Sequence, residues 1–358
     1  MLRALLAPLA LLPMLFAGPP SQHDYVVLTP GAPGSVLRQL HITPTYRYDS
    51  GFAARLTEDR VAELRRTRGL VVELDHQLRL SSTTQSTSSW GLDRIDQRSL
   101  PLNDRYRSLT DGSTVHAYVI DTGITVSHKD FGGRAHVAYD ALGGNGADCN
   151  GHGTHVAGII GGTTYGVAKK VQLEAVRVMD CSGRSSTSAV LAGVEWVRKH
   201  AVKPAVANLS LGGGLSAVLD RAVDDLADSG VVVTVAAGND GADACSSSPA
   251  AASQVIAVAA SDRNDSRTPW SDTGSCVDVF APGTAITSDW LGGGTKVESG
   301  TSMASPFVAG AAAIYLDKHP TDATATVAAW LESHATSGHL KHVPSDTPNK
   351  LLYTGAMG

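Results

Sequence analysis

Short apolar runs alternate with segments of helical periodicity between residues 115 and 237. The apolar runs predict strands at Val115–Ile120, Leu173–Val178, Ala205–Ser210 and Val231–Ala237. The segments between them predict helices over 151–160, 185–199 and 215–228. This alternation indicates an α/β fold, a doubly wound parallel sheet with helices on both faces. Because such sheets bind ligands at the carboxyl ends of their strands, the residues after each strand are the first candidates for function.

The region before residue 82 has a different pattern. Strands are predicted at Tyr25–Leu28, Gly51–Leu56 and Val71–Leu74, and Thr57 is placed to cap a helix. This small α+β unit of about 60 residues buries little core and is marginally stable by itself. The polar run Ser81–Ser89 cannot bury a core either, and it is expected to be an exposed linker that a protease could cut.

The first 20 residues have the composition of a secretory signal peptide. Arg3 precedes the apolar run Ala4–Phe16, and small residues follow it. A membrane anchor is the alternative, but it needs about 20 uninterrupted apolar residues. The present run is shorter and contains Pro8 and Pro13, so the pattern predicts a secreted protein.

The chain of 358 residues has a net charge of −5, with 42% hydrophobic and 18% charged residues, which is typical of a globular protein. It contains no block of Lys and Arg interleaved with aromatic residues, so neither nucleic acid nor an anionic membrane is an expected partner. An even number of cysteines in a secreted protein favours two disulfides, with three possible pairings among Cys149, Cys181, Cys245 and Cys276. Zinc is the competing interpretation, but no two of these cysteines are spaced as zinc ligands usually are.

A serine lies where a loop meets a helix. The segment Gly300–Pro306 (GTSMASP) precedes the run Phe307–Ile314, whose small and apolar residues predict a buried helix. The first N–H groups of a helix lack internal partners and lie at the positive end of its dipole. They could stabilise an oxyanion formed when Ser302 attacks a carbonyl group. The simpler interpretation is that Ser302 or Thr301 only caps the helix.

Two histidines begin the helix predicted over 151–160. His152 lies between two glycines in Gly151–Gly158 (GHGTHVAG) and could project into a cleft as a general base, whereas His155 is interpreted as structural. A metal bound by the pair is the alternative. However, Gly153 occupies the position of the Glu that metalloprotease helices place after their first His.

The first predicted strand ends in Asp121, within Val119–Ile124 (VIDTGI), which places a carboxylate at the edge of the sheet. Asp-Thr-Gly is also the motif of aspartic proteases, and it occurs again at Asp272–Gly274. The second copy follows no apolar strand, however. The α/β alternation also contradicts the all-β bilobal fold of that class.

Asp121, His152 and Ser302 occur in the order Asp-His-Ser, and their motifs resemble those of the subtilisin-like serine proteases from about Trp90 to the C-terminus. The segment Trp90–Gln97 (WGLDRIDQ) resembles the mature N-terminus of the secreted proteinase K and aqualysin-type branch. The resemblance implies a subtilisin-like fold and a serine endopeptidase that needs no cofactor for catalysis. Ser302 would be the nucleophile, His152 its general base and Asp121 the residue that orients the imidazole.

The resemblance also assigns binding residues. Asn239 matches the side-chain amide that stabilises the oxyanion, although an Asn in a turn is its ordinary interpretation. Two segments match those that hold a peptide as an added strand, and they comprise Ser182, Gly183, Arg184, Ser210, Leu211 and Gly212. The primary specificity pocket would be lined, with nothing charged, by Ala236, Ala237 and Gly238. A broad preference for apolar or aromatic side chains would follow.

By the same resemblance, the disulfides would be Cys149–Cys181 and Cys245–Cys276. A structural calcium ion would bind the Asp278 carboxylate and the carbonyl oxygens of Ser253 and Val255. A solvated loop aspartate is the alternative interpretation of Asp278.

The resemblance divides the chain into a signal peptide (1–20), an inhibitory propeptide (21–82) and a peptidase domain (83–358), with self-cleavage near Ser82–Thr83. The propeptide would be the intramolecular chaperone and inhibitor of a secreted, monomeric enzyme that acts on proteins and peptides. A permanent structural domain is the alternative for the N-terminal region. Three other functional classes stay open: an aspartic protease, a catalytically inactive binding protein of the same fold, and a peptide ligase.

Overall fold

A computed structural model describes residues 22–29, 33–48, 51–74, 83–86, 89–108 and 110–357. The chain divides into two compact units, residues 1–79 and 80–358. The segment interpreted as a signal peptide lies outside the described residues, and so does Leu80–Ser82, just before the expected cut.

The smaller unit is an antiparallel sheet with two short helices. Its strands are β1 Gln22–Leu28, β2 Tyr46–Tyr48, β3 Gly51–Thr57 and β4 Val71–Leu74, and its helices are α1 Gly34–Gln39 and α2 Glu58–Arg66. The strand order is β2, β3, β1, β4, and Val27, Phe52 and Leu64 are fully buried in its core. Thr57 lies at the N-cap of α2 as expected, but its side chain makes no capping hydrogen bond. The elements α1 and β2 are too short to show a clear apolar period in the sequence.

A short antiparallel pair begins the larger unit. Strand β5 (Thr83–Ser86) pairs with β6 (Arg105–Ser108), and helix α3 (Trp90–Ile95) lies between them in the chain. Residues 83–86 of the segment Ser81–Ser89 thus form a strand, which its polar composition did not indicate. Two consecutive threonines favour an extended backbone there, and β6 supplies a partner for it.

A nine-stranded sheet within residues 110–357 forms the centre of the larger unit. The remaining strands are β7 His116–Asp121, β8 Ala135–Asp140, β9 Gln172–Arg177, β10 Ala205–Leu209, β11 Gly213–Gly214, β12 Val232–Ala236, β13 Ser247–Ser248, β14 Ile256–Ser261, β15 Val279–Pro282, β16 Ile286–Asp289, β17 Thr295–Glu298, β18 Thr336–Ser337 and β19 Lys350–Leu351. The sheet order is β18, β19, β15, β14, β12, β10, β7, β9, β8. Neighbouring strands are parallel except β18 and β19. Two separate antiparallel pairs, β11 with β13 and β16 with β17, flank the sheet.

Helices cover both faces of the sheet, as the alternating pattern predicted. They are α4 His152–Gly161, α5 Thr187–His200, α6 Ala217–Asp228, α7 Thr301–Lys318 and α8 Thr324–His334. One apolar core contains α3, α4, α7 and α8, and the other contains α5 and α6. Every residue from 303 to 316 is buried, so α7 is the central helix of its layer. None of the helices described above combines the length and the apolar character that a membrane span needs.

A buried carboxyl group ends strand β16. Asp289 is 1% exposed, and neither of its carboxyl oxygens has a hydrogen-bond partner among the described residues. His128 Nδ1 lies 3.6 Å from Asp289 Oδ1, beyond hydrogen-bond distance, and accepts the N–H of Asp130 instead. Burial, and then the neighbouring Asp130 carboxylate, raises the pKa of Asp289 to about 8. The Asp289 side chain is therefore protonated at neutral pH.

We expect Asp289→Asn to stabilise the protein increasingly as the pH rises from 3.8 to about 8. The folded pKa lies above the unfolded value, so the native state binds the extra proton and loses stability as the pH rises through this window. Asn keeps the shape of the protonated group without titrating, and its advantage can grow by at most about 1.4 kcal/mol per pH unit. Chemical unfolding of both proteins, each carrying Ser302→Ala so that the expected nucleophile cannot act, measures the difference.

The exposed residue Asp228, at the end of α6, provides the control. Asp228→Asn should leave the pH dependence of the unfolding free energy unchanged. The protonated state of Asp289 would be contradicted if the difference in unfolding free energy between Asp289→Asn and its parent stayed constant from about pH 5 to about pH 8.

Candidate active site

Asp121 ends β7 at the carboxyl edge of the sheet and is fully buried. Its Oδ1 accepts the N–H of Thr122 at 2.7 Å, and its two oxygens lie 2.8 and 3.0 Å from His152 Nδ1. A buried carboxylate needs such partners because burial strongly disfavours a lone charge. The contact assigns the proton of the neutral imidazole to Nδ1, which leaves Nε2 free to accept a proton.

His152 is the first residue of α4, and the backbone before it makes a tight turn. The N-cap Gly151 has a φ of 108°, and a Cβ there would lie 2.4 Å from the indole of Trp290, so glycine is required. Burial lowers the pKa of His152, but Asp121 and two more distant carboxylates outweigh it, and the net pKa lies above its ordinary value. The side chain is 26% exposed. It is therefore placed to take a proton from a group in the cleft.

Asp148 was not predicted to have a role, yet it fixes the loop that leads to His152. Its Oδ1 accepts two backbone N–H groups of that loop and the Thr122 hydroxyl, each at 2.9 Å. Its Oδ2 accepts the N–H and the hydroxyl of Thr154 at 3.0 and 2.6 Å. The role of Asp148 could have been predicted from its place shortly before the start of a helix, because aspartate side chains there accept unpaired N–H groups.

His155 lies one turn further along α4 and is fully buried. Its Nε2 lies 3.1 Å from the carbonyl oxygens of Ile286 and Lys296, so the ring ties α4 to β16 and β17. Burial lowers the pKa of His155 to about 4, and the ring stays neutral. These contacts agree with the structural interpretation of His155.

Helix α7 begins at Thr301, and Gly300 occupies its N-cap position. Gly300 has no side chain to cap this end, and among the described residues neither the Thr301 nor the Ser302 hydroxyl accepts an N–H of α7, so the interpretation of Ser302 or Thr301 as a capping residue is wrong. The Ser302 hydroxyl donates to the carbonyl of Ser210 at 3.2 Å, and among the described residues no hydrogen bond joins it to His152. Catalytic hydrogen bonds often form only when substrate is bound.

A buried polar network lies beneath Ser302. Pro306 has no N–H to offer the Ser302 carbonyl, and the Ser210 hydroxyl donates to this carbonyl instead, at 2.8 Å. Asn208 Nδ2 donates to the Ser210 hydroxyl at 2.9 Å. Asn208 Oδ1 accepts the hydroxyls of Thr234 and Ser305 at 3.0 and 2.7 Å. Ser210, assigned to peptide binding, thus also anchors the backbone of Ser302.

Asn239 follows β12 and faces the start of α7. Its Oδ1 accepts the N–H of Thr301 at 2.8 Å and the Thr301 hydroxyl at 3.1 Å. Because a backbone N–H requires an acceptor, this contact fixes the orientation of the amide and leaves Nδ2 free to donate. The N–H of Ser302, the second residue of α7, also lies outside the intrahelical pattern. Asn239 Nδ2 and the N–H of Ser302 are therefore two hydrogen-bond donors that lie near the N-terminal end of α7 and remain available to a ligand.

A groove runs between the two segments that the resemblance assigns to peptide binding. Gly183 and Arg184 line one side, and Leu211–Gly214 lines the other. Ser182 does not line the groove. Its N–H and that of Arg184 donate to Asp180 Oδ1 at 2.8 and 3.0 Å, which forms a turn at this end of the segment. The assignment of Ser182, Gly183 and Arg184 to peptide binding stays a prediction.

A cavity of about 440 Å³ opens beside Ser302. Ala236, Gly238 and the segment Leu211–Gly214 line it. Ala237, which was also expected in the lining, is fully buried in the core formed with α5 and α6, because successive residues of an extended chain point to opposite faces. The expectation that nothing charged lines the pocket is wrong, because the loops after β12 and β14 contribute carboxylates, and these are Asp240, Asp243 and Asp272.

The structure contains the two disulfides that the resemblance implies, Cys149–Cys181 and Cys245–Cys276. The first joins the loop before His152 to the turn at Asp180, and the second lies beside the cavity. The linked cysteines are 32 and 31 residues apart. Closing loops of this length restricts the unfolded chain and stabilises the fold by roughly 3–4 kcal/mol for each bridge.

Among the described residues, no group of three or more His, Cys, Asp or Glu side chains could hold a metal ion. The residues assigned to calcium, Ser253, Val255 and Asp278, line a common cavity. Asp278 Oδ2 accepts the N–H of Ala257 at 2.7 Å. A calcium site here would depend on one carboxylate and on carbonyl oxygens.

The two Asp-Thr-Gly copies have different surroundings. Asp121 contacts His152, whereas Asp272 Oδ1 accepts the N–H groups of Asp240 and Ala242 in a loop. The mostly parallel sheet also differs from the two-lobed β fold of aspartic proteases. The structure therefore gives no support to that class.

The chain is similar to known proteins. The sequence profile of the Subtilase family matches residues 112–350. The extracellular serine proteinase of Thermus sp. (strain Rt41A) is 51% identical over 309 residues, which cover 85% of this chain and 75% of the relative. The alkaline serine exoprotease A of Vibrio alginolyticus is 49% identical over 313 residues, which cover 85% of this chain and 58% of the relative.

A solved structure is similar over most of its length. The crystal structure of a cold adapted subtilisin-like serine proteinase is 50% identical, with a TM-score of 0.74, and the match covers 75% of this chain and 99% of that one. Matches of this extent and identity show that the chain belongs to the subtilase family and is a secreted serine-type endopeptidase.

Proposed function

We propose that the chain hydrolyses peptide bonds with Ser302 as nucleophile, His152 as general base and Asp121 as the group that orients the imidazole. The observation that carries this proposal is the contact of the buried Asp121 carboxylate with His152 Nδ1, which leaves Nε2 as a proton acceptor. A serine hydroxyl is a weak nucleophile by itself, and a histidine whose pKa is raised accepts its proton more readily. The enzyme acts as a monomer on proteins and peptides, without a cofactor for catalysis.

Each step moves one proton through His152. Nε2 takes the proton of the Ser302 hydroxyl while Oγ bonds to the scissile carbonyl carbon, and an electron pair moves to the carbonyl oxygen. When this intermediate collapses, the C–N bond breaks and the proton passes to the leaving amine. Water then attacks the acyl-serine ester by the same route and regenerates Ser302.

The oxyanion receives hydrogen bonds from Asn239 Nδ2 and from the N–H of Ser302. Thr301 holds Asn239 by two contacts to Oδ1, so the amide needs no reorganisation when the charge develops. The substrate backbone lies extended in the groove between Gly183 and Leu211–Gly214. The side chain before the scissile bond enters the cavity beside Ser302, where Ala236 and Leu211 offer apolar contacts to apolar and aromatic residues.

We expect Ser302→Ala or His152→Ala to lower kcat by several orders of magnitude, because each removes a partner of the proton transfer. Asn239→Leu should lower kcat by roughly 10²–10³-fold with little change in KM, because the lost donor acts only on the developing charge. Hydrolysis of a peptide substrate gives these values, and labelling by a fluorophosphonate at neutral pH reports the activated serine.

Ser333→Ala, exposed on α8, is the matched control and should retain activity and labelling. Activity above about one tenth of wild type in Ser302→Ala would refute the nucleophile. A wild-type protein that takes no label would instead be an inactive binding protein. Products that are joined rather than hydrolysed would identify a ligase.

We further propose that residues 21–82 are an inhibitory propeptide that is cut from the enzyme after folding. Among the described residues of the smaller unit, nine apolar side chains are fully or largely buried, and so small a core supports a segment of marginal stability. A cut near Ser82–Thr83 would leave β5 intact. Its pairing with β6 could then hold the new N-terminus on the protease.

N-terminal sequencing of wild type and of Ser302→Ala tests this processing. Wild type should begin within a few residues of Thr83, and the mutant should retain the region after the signal peptide, because the cut depends on the enzyme's own nucleophile. Purified active wild type that still carries Tyr25 would mean that the region is a permanent structural domain.

We also propose a structural calcium ion at Asp278, bound with the carbonyl oxygens of Ser253 and Val255. These are hard oxygen ligands that suit the ion, and the three residues line one cavity, which supports the fit. Lys350 lines the same cavity, but its ammonium group pairs with Glu332 at 2.8 Å and is partly neutralised.

EDTA should lower the melting temperature of the Ser302→Ala protein by several degrees, because an ion bound only by the folded state stabilises it. The same protein with Asp278→Asn should not respond, since Asn still accepts the N–H of Ala257 but carries no charge for the ion. Thermal unfolding with and without EDTA gives both values. An unchanged melting temperature in the parent protein would argue against this site.

A further inference from the structure

The cavity beside Ser302 is acidic. Its lining includes three carboxylates and no Lys, Arg or His, and the carboxylates belong to Asp240, Asp243 and Asp272. The other lining residues are small, apolar or uncharged, so nothing in the wall neutralises the three negative charges. Charges of one sign around a small cavity attract a cation and repel an anion.

Asp272 is the buried member of the three, with 3% of its surface exposed. Its Oδ1 accepts the N–H groups of Asp240 and Ala242 at 2.9 and 2.8 Å, which holds the carboxylate in place. Its Oδ2 lies against Gly238 and has no hydrogen-bond partner among the described residues. No described hydrogen bond therefore offsets the charge on this second oxygen, and Asp272 belongs to the lining of the cavity.

Two glycines make room for the carboxylates. Gly238 has a φ of 119°, and a Cβ there would lie 2.0 Å from Asp272 Oδ2. Gly274 has a φ of 102°, and a Cβ there would lie 2.3 Å from Asp243 Oδ1. Asp243 Oδ1 also accepts the N–H of Cys245 at 3.0 Å, next to a disulfide. The backbone is thus shaped around these two acidic side chains and keeps them from turning away.

We infer that this pocket accepts the cationic side chain of Arg or Lys at the substrate residue whose carbonyl is attacked, in addition to apolar side chains. The inference rests on the proposed function, because it takes Ser302 as the nucleophile. The aliphatic stem of Arg or Lys would lie along Ala236 and Leu211, while its charged end reaches the carboxylates. A cation loses hydration on entering the pocket, and fixed carboxylates nearby offset that cost.

Two peptides that differ only at this residue, one with Arg and one with Phe, test the inference. We expect kcat/KM for the Arg peptide to lie within roughly tenfold of that for the Phe peptide. Asp272→Asn keeps the acceptor for both N–H groups and removes the charge, so it should lower the Arg-to-Phe ratio by roughly 5–30-fold. Asp240→Asn, at the exposed edge, should lower the ratio by a smaller factor. Added salt should also lower the ratio, because exposed charges are screened.

Asp228→Asn makes the same charge change at an exposed helix end and should leave the ratio unchanged. Cleavage of the Arg peptide more than about a thousandfold slower than the Phe peptide would overturn the inference. The inference would also be overturned if Asp272→Asn and Asp240→Asn both showed the same Arg-to-Phe ratio of kcat/KM as wild type. If Asp272→Asn does not fold, the Arg-to-Phe ratio of Asp240→Asn alone decides whether the inference holds. If neither peptide is cleaved, the proposed function itself fails, and the inference fails with it.

Discussion

The carbonyl group of Ser302 has no hydrogen-bond donor within its own helix, because Pro306 lies where the donating N–H would be. This constraint determines how α7 begins. Pro306 interrupts the intrahelical pattern without ending the helix, because a hydroxyl from the end of β10 takes the place of the missing N–H. A buried carbonyl without any partner would cost roughly 1–3 kcal/mol. The hydrogen bond from Ser210 therefore helps to fix the proposed nucleophile at the end of β10.

Asn208 extends this constraint to the rest of the site. Its two ends connect β10, β12 and α7, the elements that lead into the peptide groove, Asn239 and Ser302. A polar network whose members are all satisfied specifies one packing arrangement, whereas an apolar contact would tolerate sliding. Asp148 has a comparable effect on the half of the site that contains Asp121 and His152, because it ties the end of β7 to the start of α4. Each half of the site is thus held by one polar side chain that does not take part in the reaction.

The elements and the residues at their ends could be predicted because their signals are local. The four strands and three helices predicted between residues 115 and 237 begin and end within two residues of their predicted limits, whereas β8 and β11 in the same region were not predicted. Asp121, His152 and Ser302 lie at the ends of such elements. Two local signals were missed. Asp180 takes the N–H of Ser182 only two residues further on, which is a turn contact that aspartate commonly makes, and Asp240 and Asp243 follow β12 directly. Asp272, in contrast, reaches the cavity from a loop far along the chain, so its contribution to the pocket's charge could not be predicted from the residues after β12.

The proposed catalytic groups lie far apart along the chain, so a ribosome makes them at different times. Strand β7 and helix α4 emerge early, while α7 lies far towards the C-terminus. Segments nearer the N-terminus leave the ribosome first and can fold first. A nascent chain that has completed β7 and α4 still lacks Ser302 and the Thr301 contact that orients Asn239. The order of the elements therefore keeps an unfinished polypeptide from cutting the proteins around the site of its own synthesis.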